Sequence, residues 1–419
     1  MGYLTRRLEK QPNSQVWLPW VVSLSGGLLF FYEFIQLNII NSISQDLLDT
    51  FNMTKAQLGN VASMYFWANA LFLFLAGNLL DRFSPKLLII LALSLCTLGT
   101  FGFALAPTAL IAGIARFVVG IGGSFCLLSA VRLASFWFSP KRLALVVGLV
   151  ITMAFLGGLV AQTPATYITQ LTNWRDMMIM NGFLGVIIII WVILIIQNRP
   201  TAEQHLAQQH KERIKALGLW ESVKSVLSNK QNWLAGLYTS LVNLPIYILG
   251  GSWGKMYLVN VNSLSENHAS AVCSMLFIGA LIGSPVVGLI SDRLQNRRLP
   301  MMAGTLLSLF LALFILYCPN LHYLALMILF LLLGFITCTQ VISYPLVSEH
   351  NPTILTSTAV SIVSILCLLG GALGIPFVGW LMQILHSYQL AMLVMPLGFI
   401  VSFILAILIK ETHCRHQHD

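Results

Sequence analysis

The sequence predicts an all-α integral membrane protein, with twelve transmembrane helices in two pseudo-symmetric six-helix bundles. Three observations predict it. The 419 residues are 57% hydrophobic and 9% charged, with a mean hydropathy of +0.83, whereas a water-soluble domain carries roughly 25% charged residues. The apolar residues fall in twelve runs, each long enough to cross a ~30 Å hydrocarbon core, which takes about 20 helical residues. The first six runs and the last six also share short motifs. A chain so poor in polar surface is not a soluble enzyme, and its hydrophobicity excludes a disordered chain.

The first six spans are expected at 17–44, 55–80, 86–106, 109–136, 143–168 and 176–197. The next six are expected at 232–259, 267–290, 300–318, 322–347, 354–384 and 388–410. Between the sets, 198–231 is the one long polar stretch, with Arg199, Lys211, Arg213, Lys215, Lys224 and Lys230. It reads as a cytoplasmic linker with a short amphipathic helix. The expected division is an N-terminal bundle at 1–197, a linker at 198–231, and a C-terminal bundle at 232–419 ending in a short cytoplasmic tail.

Orientation follows from the basic residues. With the N-terminus inside, all of the 23 Lys and Arg except Lys55, Arg116, Arg175 and Lys255 fall on the cytoplasmic side. That asymmetry places both termini in the cytoplasm of a bacterial inner membrane. The net charge of +9 is then a property of basic loops and predicts no nucleic-acid partner. Seven cysteines, without a C-x-x-C pair, indicate neither a disulfide framework nor a zinc site. The tail His413-Cys414-Arg415-His416-Gln417-His418 offers no fixed geometry for a metal. No P-loop is present, so ATP does not drive the protein directly. No nucleophile–base arrangement on an extramembrane domain suggests an enzyme, and no cofactor is expected.

The halves repeat. Gly77-Asn-Leu-Leu-Asp81-Arg82 after span two returns as Gly288-Leu-Ile-Ser-Asp292-Arg293 after span eight. Leu156-Gly157-Gly158 in span five returns as Leu369-Gly370-Gly371 in span eleven. Both offsets are about 210 residues, the mark of an internal duplication such as secondary transporters carry.

On these residues the chain resembles the major facilitator superfamily over essentially its whole length. Gly77, Asp81, Arg82 and Lys86 match its loop motif after span two, and Gly288, Asp292, Arg293, Arg297 and Arg298 match in the second half. Arg116, Gly120 and Gly122 match R-x-x-x-G-x-G in span four. Gly148, Gly157 and Gly158 match part of the span-five antiporter signature, but Leu156 stands where that signature has proline, and Ser84-Pro85 replaces the usual Gly-Arg. The tracts around Tyr32, Glu33, Phe34, Gln36, Asn38, Asn41 and Ser42 and around Gly250, Gly251, Trp253, Gly254, Lys255 and Tyr257 are similar to nutrient-uptake transporters of bacteria living in host phagosomes.

The resemblance implies a latch, in which Gly77, Asp81, Arg82, Lys86, Gly288, Asp292 and Arg293 hold the halves together when the cytoplasmic side is closed. Asp81 would face the start of span eleven. Physically, a glycine permits close helix approach, and a carboxylate suits the positive end of a helix dipole. The bland alternative is that Asp-Arg pairs merely end helices at the membrane surface.

Two ionisable residues lie deep inside spans, Glu33 in span one and Arg116 in span four. A charge near the bilayer centre costs roughly 2.5–3.5 kcal/mol on lenient scales, so each needs a partner or a wet cavity. At 1.5 Å per residue, Glu33 is ~24 Å from the cytoplasmic start of its span and Arg116 ~30 Å from the cytoplasmic end of its own. They are expected to meet or to share a solute. A static brace, or an Arg116 held by backbone carbonyls, is the alternative. Polar stripes add Gln36 in span one, Asn243 and Tyr247 in span seven, and Thr337, Gln340 and Tyr344 in span ten. Of these, Gln36, Asn243, Tyr247, Gln340 and Tyr344 join Glu33 and Arg116 as candidate solute or proton residues, against interhelical hydrogen bonding as the bland reading. Pro245, Pro285, Pro345 and Pro376 each remove a backbone donor and are expected to break their helices.

The expected function is alternating-access transport of a small polar nutrient, an amino acid or similar metabolite, by a monomer in the lipid bilayer. Proton-coupled uptake through Glu33 is the mechanism expected. A drug–proton efflux antiporter, a siderophore transporter, a lipid flippase and a non-transporting membrane sensor stand as alternatives.

Overall fold

The computed structural model describes residues 17–138, 140–197, 219–318, 321–352 and 355–415, and the regular elements among them are helices. All twelve expected spans are present. Spans one to six are Trp17–Phe51, Lys55–Gly77, Pro85–Ala104, Ala109–Trp137, Leu145–Leu171 and Trp174–Ile195. Span seven is a bent pair, Lys230–Val242 and Ile246–Asn262. Spans eight to twelve are Glu266–Leu294, Arg298–Tyr317, Tyr323–Glu349, Thr358–Leu385 and Tyr388–Leu408. Among the described residues eight spans start at a side-chain cap. Thr54, Ser84, Thr108, Asn173, Asn229, Ser265, His322 and Ser387 each accept a first-turn N–H, Thr54 in a reciprocal box with Gln57. Such caps are each worth about 1 kcal/mol.

Several spans are interrupted. Span four breaks after Gly122-Gly123, between Ala109–Gly123 and Cys126–Trp137. Span five breaks between Pro140–Val160 and Thr163–Leu171, where Pro164 lacks an N–H. Span seven bends by 43° at Pro245 and continues as the π-helical turn Ile246–Trp253. Span ten tightens to a 3₁₀ stretch, Cys338–Ile342, before Ser343–Glu349, which contains Pro345. The expectation fails for Pro285 and Pro376, which lie inside the unbroken helices Glu266–Leu294 and Thr356–Leu385. Long flanking helices with satisfied neighbours absorb the missing donor there.

Lipid tails give helices no hydrophobic reason to associate, so close backbone contact holds the bundle. A Cβ at Gly157 would lie 2.1 Å from the Phe31 carbonyl oxygen, and one at Gly120 2.2 Å from that of Tyr65. These glycines set span five on span one and span four on span two. The motif glycines differ. A Cβ at Gly77 or Gly288 meets nothing within 4 Å, so neither marks a close approach in this conformation, whose closure lies at the other end. The side chains of Asp81 and Arg82 lie outside those described. Lys86 donates to the Ile193 carbonyl at 2.7 Å, tying span three to the end of span six.

The halves meet where span one touches span seven, span two touches span eleven, and span five touches span eight. Gly59 faces the backbone of Pro376, and Gly379 that of Lys55. These contacts lie towards the ends opposite the basic Lys86, Arg293, Arg297 and Lys410. A short helix, Leu219–Ser228, precedes span seven, and 198–218 lie outside the described residues.

Candidate functional site

Three clusters carry the polar chemistry. The first is inside the N-terminal half. Arg116 is 1% exposed, its Nη1 donates to the Gln36 carbonyl at 2.5 Å, and its guanidinium lies 5.1 Å from the centre of the Tyr65 ring. Glu33 is 3% exposed and stands within electrostatic range of Arg116. Among the described residues no ion pair within 4.0 Å joins the two. Glu33 Oε2, Arg116 Nε and Nη2, and both polar atoms of the Gln36 side chain have no hydrogen-bond partner. The expected meeting of acid and base is thus one of proximity, with the arginine held by a backbone carbonyl and an aromatic face.

The second cluster is in the C-terminal half and gathers on a residue the sequence did not single out. Tyr247 Oη lies 3.2 Å from Cys367 Sγ, and Asn243 Nδ2 donates to the same sulfur at 3.6 Å. Tyr344 faces Cys367 and Ser364 of span eleven. Gln340 joins through its main chain, its carbonyl accepting from Ser343 at 2.6 Å and Thr239 at 3.5 Å, while its side-chain Oε1 is unpartnered. A cysteine in an apolar run looks like packing, and no motif or spacing in the sequence pointed to this one. Edge-to-face rings link the halves: Tyr65 to Phe66 at 5.2 Å and Phe66 to Tyr247 at 5.0 Å.

The third cluster closes the membrane end opposite the basic residues. The backbone N–H of Lys255 donates to Asn41 Oδ1 at 3.0 Å, Asn41 Nδ2 to Gln162 Oε1 at 2.7 Å, and Gln162 Nε2 to the Gly250 carbonyl at 2.7 Å. Lys255, 2% exposed, donates through Nζ to the Ser42 carbonyl and pairs with Glu266 at 3.2 Å. Thr163 meets Ser274, and Thr166 meets Ser270, each at 2.9 Å. The tracts Tyr32–Ser42 and Gly250–Tyr257 therefore touch each other across the halves. In the sequence Lys255 stands out as a basic residue off the cytoplasmic side and as part of the Gly250–Tyr257 tract, with no solute, proton or latch role expected of it. A lysine inside a span was the available signal.

At the basic end, Asp292 pairs with Arg297 at 2.6 Å, and Arg297 pairs with Glu349 at 2.7 Å. The guanidinium paired with Asp292 is that of Arg297, and the pairing is within one half. The tail docks here. Glu411 accepts from the backbone N–H groups of Arg297 at 2.9 Å and Arg298 at 2.7 Å, and Thr412 donates to Glu349 at 2.5 Å. Burial raises the Glu411 carboxyl, but the backbone N–H groups of Arg297, Arg298, His413 and Thr412 outweigh it and hold the group below the usual range. Burial lowers His350. His416 and His418 lie outside the described residues.

Known proteins share this architecture. A crystal structure of a D-xylose–proton symporter superposes with a TM-score of 0.76 over 94% of this chain and 99% of that one, at 14% identity. A probable sulfoacetate transporter of Cupriavidus necator is 22% identical over 64% of this chain and 64% of its own length, less than two thirds. A probable galactarate/D-glucarate transporter of Escherichia coli is 23% identical over 72% of this chain and 73% of its own. The family model of the Major Facilitator Superfamily matches residues 26–260 and 232–417. With both six-helix halves covered by that model, the chain belongs to the major facilitator superfamily and is a multi-pass membrane protein of the secondary-transporter class.

Proposed function

We infer that the protein takes up a small polar nutrient, an amino acid or similar metabolite, across a bacterial inner membrane by proton-coupled alternating access. The observation that carries this reading is the buried Glu33 of span one beside Arg116 of span four, because span one also closes the end opposite the basic residues through Asn41 and Ser42. A proton exchanged at Glu33 changes the charge on that helix, and the helix also forms the closure. The solute is bound between halves by the amide and hydroxyl groups of Asn243, Tyr247, Gln340 and Tyr344. The protein works as a monomer, with the bundles 1–197 and 232–419 joined by a cytoplasmic linker at 198–231 and both termini inside.

A second reading takes an organic acid as the solute. It is favoured by the named solutes of the two relatives, since sulfoacetate and galactarate each carry a carboxylate.

The test starts from purified protein in a thermal-shift screen against amino acids, nucleosides, sugars and organic acids, since a ligand of the folded state raises stability by mass action. The solute that binds is then offered to proteoliposomes with an acid-outside pH gradient. The expected result is an amino-acid hit and accumulation that collapses with the gradient. Accumulation of galactarate or sulfoacetate instead selects the second reading. Binding without any counterflow makes the protein a sensor and removes the transport reading.

A further inference from the structure

The N-terminal half encloses polar atoms that its protein neighbours leave unpaired. Among the described residues they include Glu33 Oε2, Gln36 Oε1 and Nε2, Thr97 Oγ1, Arg116 Nε and Nη2, and Asn181 Oδ1 and Nδ2, all buried. They come from spans one, three, four and six, so they are not the spillover of a single helix face. Tyr32 draws them together. Its hydroxyl lies 3.3 Å from Thr100 Oγ1 and 3.1 Å from the Asn181 carbonyl oxygen, and the Thr97 and Gln36 side chains interact with it from beyond close hydrogen-bond geometry. Cys96, next to Thr97, faces both Glu33 and Arg116. Gly185 forms part of the wall, where a Cβ would intrude to 2.4 Å from Thr97 Oγ1 and 2.6 Å from Tyr32 Oη.

Left dry, each of these atoms would forfeit the hydrogen bond it makes to water in the unfolded chain. The set has the composition that water satisfies. The nitrogens of Gln36, Arg116 and Asn181 are donors, the oxygens of Glu33, Gln36 and Asn181 are acceptors, and the Thr97 hydroxyl is both. A buried water makes roughly two to four hydrogen bonds to groups of this kind.

We propose that these side chains bind a closed cluster of water molecules inside the N-terminal half, and that this water joins Glu33 to Arg116 in place of a direct ion pair. The use of the water rests on the reading of Glu33 as the coupling acid. A hydronium O–H bond breaks as a proton forms Oε2–H on Glu33, leaving neutral water, and the reverse step discharges it.

The cluster is tested without any solute, on the full chain in nanodiscs, by X-ray hydroxyl-radical labelling read out by mass spectrometry. The probe is water itself, because radicals from bound water oxidise the side chain they touch. Tyr32 and Tyr238 are both 0% exposed, but Tyr238 is fully engaged with the Met301 carbonyl, Thr339 and Thr305 and serves as the dry control. Tyr32 is expected to label several-fold faster than Tyr238. The double substitution Thr97→Val with Asn181→Leu keeps the volume and removes partners of the water, and should cut Tyr32 labelling several-fold without raising Tm. Equal labelling of the two tyrosines in the wild type overturns the proposal. So does a rise in Tm of the double variant, which is what removing dry, unpaired groups would give. Neither result bears on whether Glu33 couples transport, which the Glu33→Gln transport assay reads separately.

Discussion

Arg116 gives its Nη1 hydrogen to the main-chain carbonyl of Gln36 at 2.5 Å, not to the carboxylate of Glu33, which sits one turn earlier on the same helix. The carbonyl holds one edge of the guanidinium, and the Tyr65 ring stands 5.1 Å from its centre. A lysine supplies the charge but not the planar fork. Arg116→Lys should lower stability by about 1–3 kcal/mol, the range for losing a hydrogen bond to a charged group. Arg116→Met instead leaves the buried Glu33 without its compensating charge, a loss that typically costs about 3–5 kcal/mol. Thermal unfolding should therefore rank Lys above Met, with counterflow lost in Met. A lysine variant of wild-type stability and rate would show that the fork has no role.

Lys255 is a cross-half clasp. Its ammonium is shared by the Ser42 carbonyl of span one and Glu266 of span eight, so opening this end must break charged hydrogen bonds. Lys255→Met should favour the open form by about 1.4 kcal/mol or more, which is tenfold in an equilibrium constant. Cys273 is a native reporter. It is 0% exposed and lies beside Asn41 and Lys255. Its alkylation by maleimide should speed up about tenfold in Lys255→Met, because reaction follows the population of the open form. An unchanged rate would mean that Asn41, Gln162 and the Thr–Ser pairs hold the closure without the lysine.

The long-range pattern of this fold was legible because hydropathy and repeat are properties of whole spans. Twelve runs gave twelve spans, and Gly157 does sit against a neighbouring backbone. Local geometry was less legible. Pro245 and Pro376 carry the same missing donor, yet one sits at a 43° bend and the other inside a continuous helix, because neighbours decide whether a freed carbonyl is satisfied. Span pairing was invisible as well. Cys367 and Lys255 matter through Tyr247 and Ser42, 120 and 213 residues away in sequence, and no periodicity within one helix encodes such partners. Glu33 and Arg116 were found because an ionisable residue inside a span is costly wherever it points.

The docked tail gives an acid-sensitive contribution. Glu411 receives the free N–H groups at the start of span nine, Arg298–Tyr317, and its carboxyl is held below the usual range. A group whose folded value is lowered binds more protons when unfolded. Its contribution is complete above the ordinary glutamate value of ~4.3 and is lost as the pH falls through the folded value. Glu411→Gln should therefore cost about 1 kcal/mol at neutral pH, as for a lost helix cap at a partly exposed site. Unfolding curves of wild type and variant should converge in acid. A gap that persists undiminished at pH 3 would assign the effect to shape rather than charge.

Glu33→Gln separates the three roles open to the buried acid. The substitution keeps size and hydrogen-bonding capacity but removes the proton that a coupling group must exchange. If that proton is the coupling ion, proteoliposomes carrying the variant should lose accumulation driven by a pH gradient, because no charge change remains to link the gradient to the closure at Asn41, Ser42 and Lys255. Counterflow, which needs only the loaded protein to cycle, should persist within a few-fold. Loss of counterflow together with loss of binding in the thermal-shift assay would make Glu33 a solute ligand, suited to an amino group. Wild-type accumulation in the variant would defeat both roles and leave an acid that only balances the charge of Arg116. In that case Arg116→Met and Glu33→Gln should together restore the stability that each loses alone, a coupling that a double-mutant cycle reads directly.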